Sequence, residues 1–177
     1  LPLSEPLSTA RLAGAFAAVH AQHAVLQSRF ARGEGGQVLH ELESCTTPAR
    51  NLTAFERQLA ALSNGSVQLH AGLWCVGLDG AAGVDAGHEL IGRVCALAQR
   101  SLNIDGGPVF LAVYFERAPS PGRVADAPAA YLFLVAHHLV MDAVSWRIVL
   151  DDLYAAYQGE QLPSPTLSYR AWAAALE

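Results

Sequence analysis

Helical spacing of apolar side chains dominates the first stretch of the chain. The pattern predicts a helix over residues 9–24, which Ser8 or Thr9 can cap, through Leu12, Phe16 and Val19. Residues 28–31 and 37–43 follow as two short strands around a glycine-rich turn. Their spacing predicts a β-hairpin.

The middle of the chain carries weaker patterns. Residues 51–62 are predicted to be helical, and residues 67–75 are predicted to form a strand. Residues 76–87, which read VGLDGAAGVDAG, are predicted to form a loop because small and glycine residues dominate them.

The second half gives sharper signals. A helix is predicted over residues 88–102, and apolar runs predict buried strands over residues 109–115 and 131–136. A proline-rich loop, residues 118–128, lies between the two strands. We expect the 131–136 strand to be interior in its sheet.

Two helices are predicted to close the chain. Trp146, Val149, Leu150, Leu153 and Tyr157 recur at helical spacing, and Gly159 is a natural stop. A linker that contains two prolines leads to a last helix around Tyr169, Trp172 and Leu176. The mixed order of elements predicts an α/β (α+β) fold with a mixed sheet and helices packed on it.

Composition narrows the function classes. Hydrophobic residues make up 52% of the 177 residues and charged residues 15%, where about 25% is usual, so part of the surface is expected to lie against another body. The net charge of −5 argues against a nucleic-acid or membrane partner. All eleven basic residues are arginine, which excludes a Schiff-base lysine and a P-loop lysine.

The three cysteines form an odd set without a CxxC pair, so neither a disulfide framework nor a metal site is expected. No apolar run reaches the roughly 18 residues of a membrane span, and no signal peptide is visible. The expected compartment is the cytoplasm.

One segment concentrates chemistry: His137 and His138 end a buried strand, and Asp142, Ser145 and Trp146 follow. Adjacent strand residues point to opposite faces, so one histidine is expected to face a cleft while the other packs into the fold. Asp142 stands where a helix N-cap is needed, and Trp146 is a natural core anchor. Spacing alone favours a structural role, because the order does not match a Ser-His-Asp nucleophile elbow.

Residues 137–148, HHLVMDAVSWRI, resemble a family signature. The pattern HHxxxD is similar to that of the condensation-domain superfamily of nonribosomal peptide synthetases, which chloramphenicol acetyltransferase and other CoA-dependent acyltransferases share. The extension to SWRI resembles epimerization domains more than condensation domains.

Three further segments support the resemblance. Residues 166–172 are similar to the [FY]-[KR]-x-W segment of the family, and residues 103–109 to the stretch before its next strand. Residues 23–30 resemble an early H-x-x-L-R-x-x-F motif. Gln27 replaces the arginine there, so no ionic role is carried over, and Ala143 stands where glycine is frequent.

The resemblance implies a chloramphenicol-acetyltransferase-like lobe. Domains of this family pair two such lobes in a V, with the active site in a tunnel between them. Residues 1–177 correspond to the N-terminal lobe, and the second lobe is absent from this sequence.

The resemblance also implies a mechanism. His138, the second histidine, is the functional residue, and imidazole exchanges protons near neutral pH. The implied substrate is an aminoacyl or peptidyl thioester on the 4'-phosphopantetheine arm of a peptidyl carrier protein, with no cofactor bound directly. An epimerase removes the Cα proton and returns it from either face, the second role falling to a glutamate of the other lobe. Asp142 is then an orienting or ion-pairing group, while His137, Ser145 and Trp146 support the site.

Two alternatives stay open. In a condensation domain, His138 would assist an amine in attacking a thioester. A lobe could also keep the motif and serve as a non-catalytic docking surface for a carrier protein. The segment that follows residue 177 would discriminate among the three.

Overall fold

The computed structural model describes residues 1–32, 38–42, 52–64, 67–70, 72–78, 84–117, 128–164, 171 and 175–176. Its helices are α1 (Thr9–Gln22), α2 (Leu52–Leu62), α3 (Val84–Ser101) and α4 (Ala143–Gln158), with a 3₁₀ turn at Ala24–Gln27. Its strands are β1 (Pro2–Leu3), β2 (Ser28–Arg32), β3 (Val38–Leu42), β4 (Val67–His70), β5 (Leu73–Gly77), β6 (Phe110–Glu116) and β7 (Ala130–Ala136).

A five-stranded mixed sheet forms the centre, in the order β1-β7-β6-β5-β4. β5 and β6 pair in parallel across α3, and the other neighbours are antiparallel. β2 and β3 form a separate antiparallel hairpin, as the sequence predicts. The α/β class with a mixed sheet is confirmed.

Helices cover both faces of the sheet. The alternation of β6 divides its side chains between two apolar clusters, with Phe110, Ala112 and Tyr114 on one face and Leu111, Val113 and Phe115 on the other. The first cluster includes buried residues of α1 and α4, and the second includes those of α2 and α3. This arrangement explains why β6 is apolar at nearly every position.

The ends of α1 and α4 follow from local sequence. The Oγ atom of Ser8 accepts the N–H of Arg11 and caps α1, which ends two residues before the predicted Ala24. Gly159 has φ 86° and its N–H bonds the last carbonyls of α4, so a left-handed glycine stops this helix where the sequence predicts.

Two predictions for the middle of the chain are wrong. The single strand over residues 67–75 is a hairpin of β4 and β5, because Gly72 takes φ 88° and reverses the chain. The loop predicted over residues 76–87 is shorter: β5 runs to Gly77 and α3 already begins at Val84. Glycine residues in that stretch favour a loop, so the sequence pattern does not reveal the first turn of α3.

The strand predicted over residues 131–136 is confirmed as β7, but its interior position is only partial. β6 pairs with β7 along its whole length, whereas β1 pairs with Ala130 and Tyr131 alone. Beyond them, Leu132 exchanges hydrogen bonds with Leu1. The side chains from Phe133 onward are half-buried rather than buried.

Three predictions fall wholly or largely outside the described residues. They are the turn of the first hairpin, the proline-rich loop of residues 118–128 and most of the final helix. Within the described part of the chain, no helix is long and apolar enough to cross a membrane.

Candidate functional site

A tight turn connects β7 to α4 and carries the paired histidines. The N–H of His137 donates to the carbonyl of Val109 (2.8 Å), which ties the end of β7 to the start of β6. The N–H of Val140 then donates to the carbonyl of His137 (3.0 Å) and closes the turn. Val140 and Met141 are buried, so the turn is anchored in the apolar cluster beneath it.

The two histidines occupy different environments. His137 is half-buried, and its Nδ1 atom accepts the N–H of Leu139 (3.1 Å). This contact leaves the proton of a neutral His137 ring on Nε2. His138 is exposed, and no described residue hydrogen-bonds to its ring. The ring of His138 is therefore accessible to solvent, while His137 holds the turn.

The strand alternation that the sequence predicts for the two histidines is wrong, and a cleft in front of one of them stays a prediction. β7 ends at Ala136, so His137 and His138 lie beyond the strand and strand alternation does not separate them. The turn does so, because the Nδ1 contact of His137 draws its ring back onto the backbone.

Asp142 is the N-cap of α4. Its backbone is extended (φ −120°, ψ −175°), and its Oδ1 atom accepts both the N–H and the Oγ–H of Ser145 at 2.7 Å each. The backbone bond first, and then the hydroxyl bond, lower the pKa of the exposed Asp142 carboxyl. Among the described residues, no cation lies within ion-pair distance of Asp142. Hydrogen bonds to its own helix thus orient this carboxylate.

Trp146 anchors the first turn of α4. Its ring centroid lies 6.3 Å from that of Phe110, and Phe110 also contacts Phe16 (6.3 Å) and His20 (5.5 Å). Burial in this aromatic group lowers the pKa of His20. The sequence predicts the anchoring of Trp146, but not that a third histidine lies beneath the site.

A fourth histidine, which the site hypothesis does not include, binds α4 directly. The Nε2 atom of His23 lies 2.6 Å from Oδ2 of Asp152. Residue His23 is the first position of the H-x-x-L segment, which is the only local signal for it. The glutamine of that segment, Gln27, donates to the carbonyl of His20 (2.8 Å).

Other reactive groups do not form a second centre in the described ranges. Burial and the charge of Glu116 raise the pKa of Cys75 to about 11, and burial raises that of Cys95. These thiols are protonated at neutral pH and are poor nucleophiles. Within the described residues, no group of three His, Cys, Asp or Glu side chains could hold a metal ion.

The second half of the chain matches a known protein family. Residues 86–177, slightly more than half of the chain, match the sequence profile described as "Condensation domain". The chain is 32% identical over 173 residues to the nonribosomal peptide synthetase vlms of Lecanicillium sp, an alignment that covers 97% of this chain and 2% of the relative. It is 44% identical over 88 residues to a linear gramicidin synthase of Brevibacillus parabrevis, covering 46% of this chain and 1% of the relative.

Solved structures share the fold. The epimerization domain from the third module of tyrocidine synthetase B matches with a TM-score of 0.66 at 20% identity, over 99% of this chain and 34% of that one. The protein SgcC5 from Streptomyces globisporus matches with a TM-score of 0.55 at 21% identity, over 96% of this chain and 32% of that one. The chain thus spans about a third of the solved domains it resembles and no more than 2% of these curated relatives.

Proposed function

Because this chain belongs to the Condensation domain family, we propose that it is the N-terminal lobe of an epimerization domain in a nonribosomal peptide synthetase. The reaction would invert Cα of an aminoacyl or peptidyl thioester. A peptidyl carrier protein would deliver this substrate on its 4'-phosphopantetheine arm, and the lobe would bind no further cofactor. We retain the cytoplasm as the expected compartment.

The observation that carries the proposal is the exposed ring of His138 on a turn whose backbone is tied down on both sides. The backbone of its neighbour, His137, is hydrogen-bonded to Val109 and Val140. A base is effective when its position is fixed and its lone pair is free. In the proposed step, His138 takes the proton from Cα, and the C–H electron pair moves into the thioester carbonyl to form an enolate.

The second half of the reaction needs an acid on the opposite face. That acid returns a proton to Cα as the enolate electrons move back, and His138 later releases its own proton. Among the described residues, no carboxyl group lies within ion-pair distance of His138. The carboxyl of the motif itself, Asp142, is kept ionised by its bonds to Ser145. We therefore assign the acid to the second lobe of the domain, which is also the expected partner of this chain.

The supporting residues divide the remaining roles. His137 holds the turn, Asp142 and Ser145 fix the start of α4, and Trp146 sets that helix on the aromatic group beneath it. The extension Ser145-Trp146-Arg147-Ile148 after the histidine motif resembles that of epimerization domains, and this resemblance supports epimerization over peptide-bond formation.

Peptide-bond formation is the second candidate, because the matching family profile is described as a condensation domain. In that reaction His138 would assist the amine of one carrier-bound substrate in attacking the thioester of another. A new amide bond would form as the C–S bond breaks.

Proton exchange at Cα separates the candidates. The complete domain that contains this chain would be mixed with a carrier-bound aminoacyl thioester deuterated at Cα. Epimerization predicts loss of the label without a second substrate, and His138→Ala should abolish that loss. The exposed His70 of β4 gives a matched control, because His70→Ala should leave exchange unchanged.

Three other results would overturn the proposal. Amide product without label loss would assign the lobe to condensation. Carrier binding without either product would assign a docking role, and unchanged label loss in His138→Ala would remove His138 from the chemistry.

A further inference from the structure

α1 and α4 are joined by a short hydrogen bond between half-buried side chains. His23 Nε2 and Asp152 Oδ2 are 2.6 Å apart, and the two side chains are 21% and 18% exposed. A carboxylate only accepts, so the proton lies on Nε2 of His23 and the bond is charge-assisted. Such bonds are stronger and more directional than neutral ones, and partial burial shields this one from solvent.

The side chain of His23 is available for this contact because its backbone has a separate task. His23 is the C-cap of α1: its N–H donates to Val19, and its carbonyl accepts the N–H of Leu26. Its φ of −112° suits any L-residue. Replacement of the ring therefore removes the bond to α4 and leaves the end of α1 intact.

A second set of contacts holds α4 at Tyr157, five residues after Asp152. Arg11 Nη2 donates to the carbonyl of Tyr157 (2.6 Å), and its guanidinium lies 4.7 Å from the centroid of the Tyr157 ring. The N–H of Ser8 donates to the hydroxyl of Tyr157 (3.1 Å). Asp152 and Tyr157 lie about one and a half turns apart, so ties at both restrict the tilt of α4 as well as its position.

The turn that carries His138 lies at the other end of α4, directly before the helix begins. The helix starts directly after Asp142, and Asp152 lies ten residues, roughly 15 Å, further along it. Over this distance, a tilt of α4 by roughly 4° about Asp152 moves the start of the helix by about 1 Å. A shift of this size in a reacting group can lower a rate by about 10²-fold.

We infer that His23 is a positioning residue for His138: its hydrogen bond to Asp152 orients α4 and thereby the turn that presents the catalytic ring. The effect on catalysis rests on the proposed function, whereas the effect on the position of the His138 ring does not.

The test compares the His138 ring resonances by NMR in the complete domain that contains this chain, at a temperature where each variant is folded. His23→Ala and Asp152→Ala should shift these resonances alike, and the double variant should shift them no further than either single change. Asp151→Ala is the matched control, because Asp151 is 77% exposed and its carboxylate lies 3.9 Å from Arg147. It should leave the His138 resonances in place.

Two further variants keep the inference falsifiable. If either alanine variant fails to fold, Asp152→Asn keeps the size of the side chain and removes its charge, and it should shift the same resonances. The exchange His23→Asp with Asp152→His should restore them. Unmoved His138 resonances in folded variants, even with a lowered melting temperature, would overturn the inference and leave the pair a stabilising contact only.

Activity separates this inference from the proposed function. In the complete domain, His23→Ala should lower kcat for label loss by roughly tenfold or more with KM unchanged. No label loss in the unmodified domain would refute the proposed function while the NMR result stands. Full label loss together with unmoved His138 resonances in His23→Ala would refute the positioning role alone.

Discussion

Ser145 donates two hydrogen bonds to one oxygen of Asp142, its N–H and its hydroxyl both lying 2.7 Å from Oδ1. The contact joins the end of the histidine turn to the first turn of α4. It satisfies a backbone N–H at the helix start that has no partner within the helix. The aspartate and serine of the motif therefore act as one capping unit, and the carboxylate is a poor proton donor at neutral pH.

Asp142→Ala should lower the melting temperature and the activity together. The variant loses the acceptor for both Ser145 donors, so the start of α4 and the histidine turn lose their common support. We expect the melting temperature to fall by about 2–4 °C. Differential scanning calorimetry and label loss in the complete domain measure the two effects.

Ser145→Ala keeps the backbone bond and removes the hydroxyl bond, so it should give a smaller loss of both quantities. An activity loss in Asp142→Ala without any change in melting temperature or in the His138 resonances would contradict the capping role. Such a result would favour direct participation of Asp142 in proton transfer.

The capping contact also predicts a pH dependence. The bonds from Ser145 hold the folded-state pKa of Asp142 below its ordinary value of 3.8. Its contribution to stability is thus complete above that value and is lost as the pH falls through the folded-state pKa. The difference in melting temperature between the unmodified chain and Asp142→Ala should shrink below pH 3.8. A constant difference would show that the charge of Asp142 plays no part.

Burial of His20 predicts that the stability of the fold falls on acidification, in a higher pH range than for Asp142. Burial beside Phe110 lowers its folded-state pKa below the ordinary 6.5, so the unfolded chain binds more protons between the two values. The free energy of unfolding should therefore fall as the pH drops below 6.5. One such group contributes a slope of at most about 1.4 kcal/mol per pH unit. Urea unfolding between pH 5 and 8 measures it.

His20→Phe should remove that part of the slope, because phenylalanine cannot take up a proton and suits the aromatic group around Phe110. His70→Phe on the exposed face of β4 serves as the control and should leave the slope unchanged. Equal slopes in the His20 variant and the unmodified chain would contradict the assignment.

The parts of the fold that local sequence predicts are those with a continuous pattern. β6 and β7 stand out as apolar runs, and the spacing from Trp146 to Tyr157 marks the buried stripe of α4. The hydrophobic pattern predicts one strand where the structure has the hairpin of β4 and β5. The residues on both sides of Gly72 favour strands, so the reversal at Gly72 is not visible in the pattern. A reversal that depends on one positive φ leaves little trace in hydrophobic periodicity.

The candidate site divides in the same way. The cap of α4 is predictable because Asp142 and Ser145 are three residues apart in a spacing that capping requires. The bond from His23 to Asp152 joins positions 129 residues apart, and no local pattern can report it. The exposure of His138 comes from a turn rather than from the alternation of a strand, so strand periodicity could not predict it correctly.

Tyr114→Phe tests how the N-terminal segment is held on the sheet. The hydroxyl of the fully buried Tyr114 accepts the N–H of Leu7 (2.8 Å) and donates to its carbonyl (3.3 Å). The variant leaves both backbone groups without their partner, which should cost about 1–3 kcal/mol of unfolding free energy. Tyr154→Phe, at a side chain 67% exposed on α4, should cost almost nothing. Equal stability of the two variants in urea would refute the role of Tyr114.

Exposed apolar side chains at the turn between β7 and α4 predict that the chain associates with another protein surface. Leu139, Val144 and Ile148 are 54%, 68% and 49% exposed. Leu139 lies in the turn before α4, and the other two lie about one helical turn apart at the start of α4. Charged residues make up only 15% of the chain, so few of them can offset an apolar face. We expect the isolated chain to bind ANS and to self-associate as its concentration rises.

Substitutions on this apolar face distinguish association through the face from nonspecific aggregation of the chain. Val144→Glu combined with Ile148→Glu should reduce both self-association in light scattering and ANS fluorescence. Leu69→Glu is the control, because Leu69 is 50% exposed on β4, an edge strand that β5 and β6 separate from β7. A monomer at high concentration without ANS binding would contradict the prediction. Addition of a second lobe in trans should suppress self-association and restore label loss, since His138 then meets its substrate in a closed, desolvated tunnel together with the acid that the proposed reaction requires.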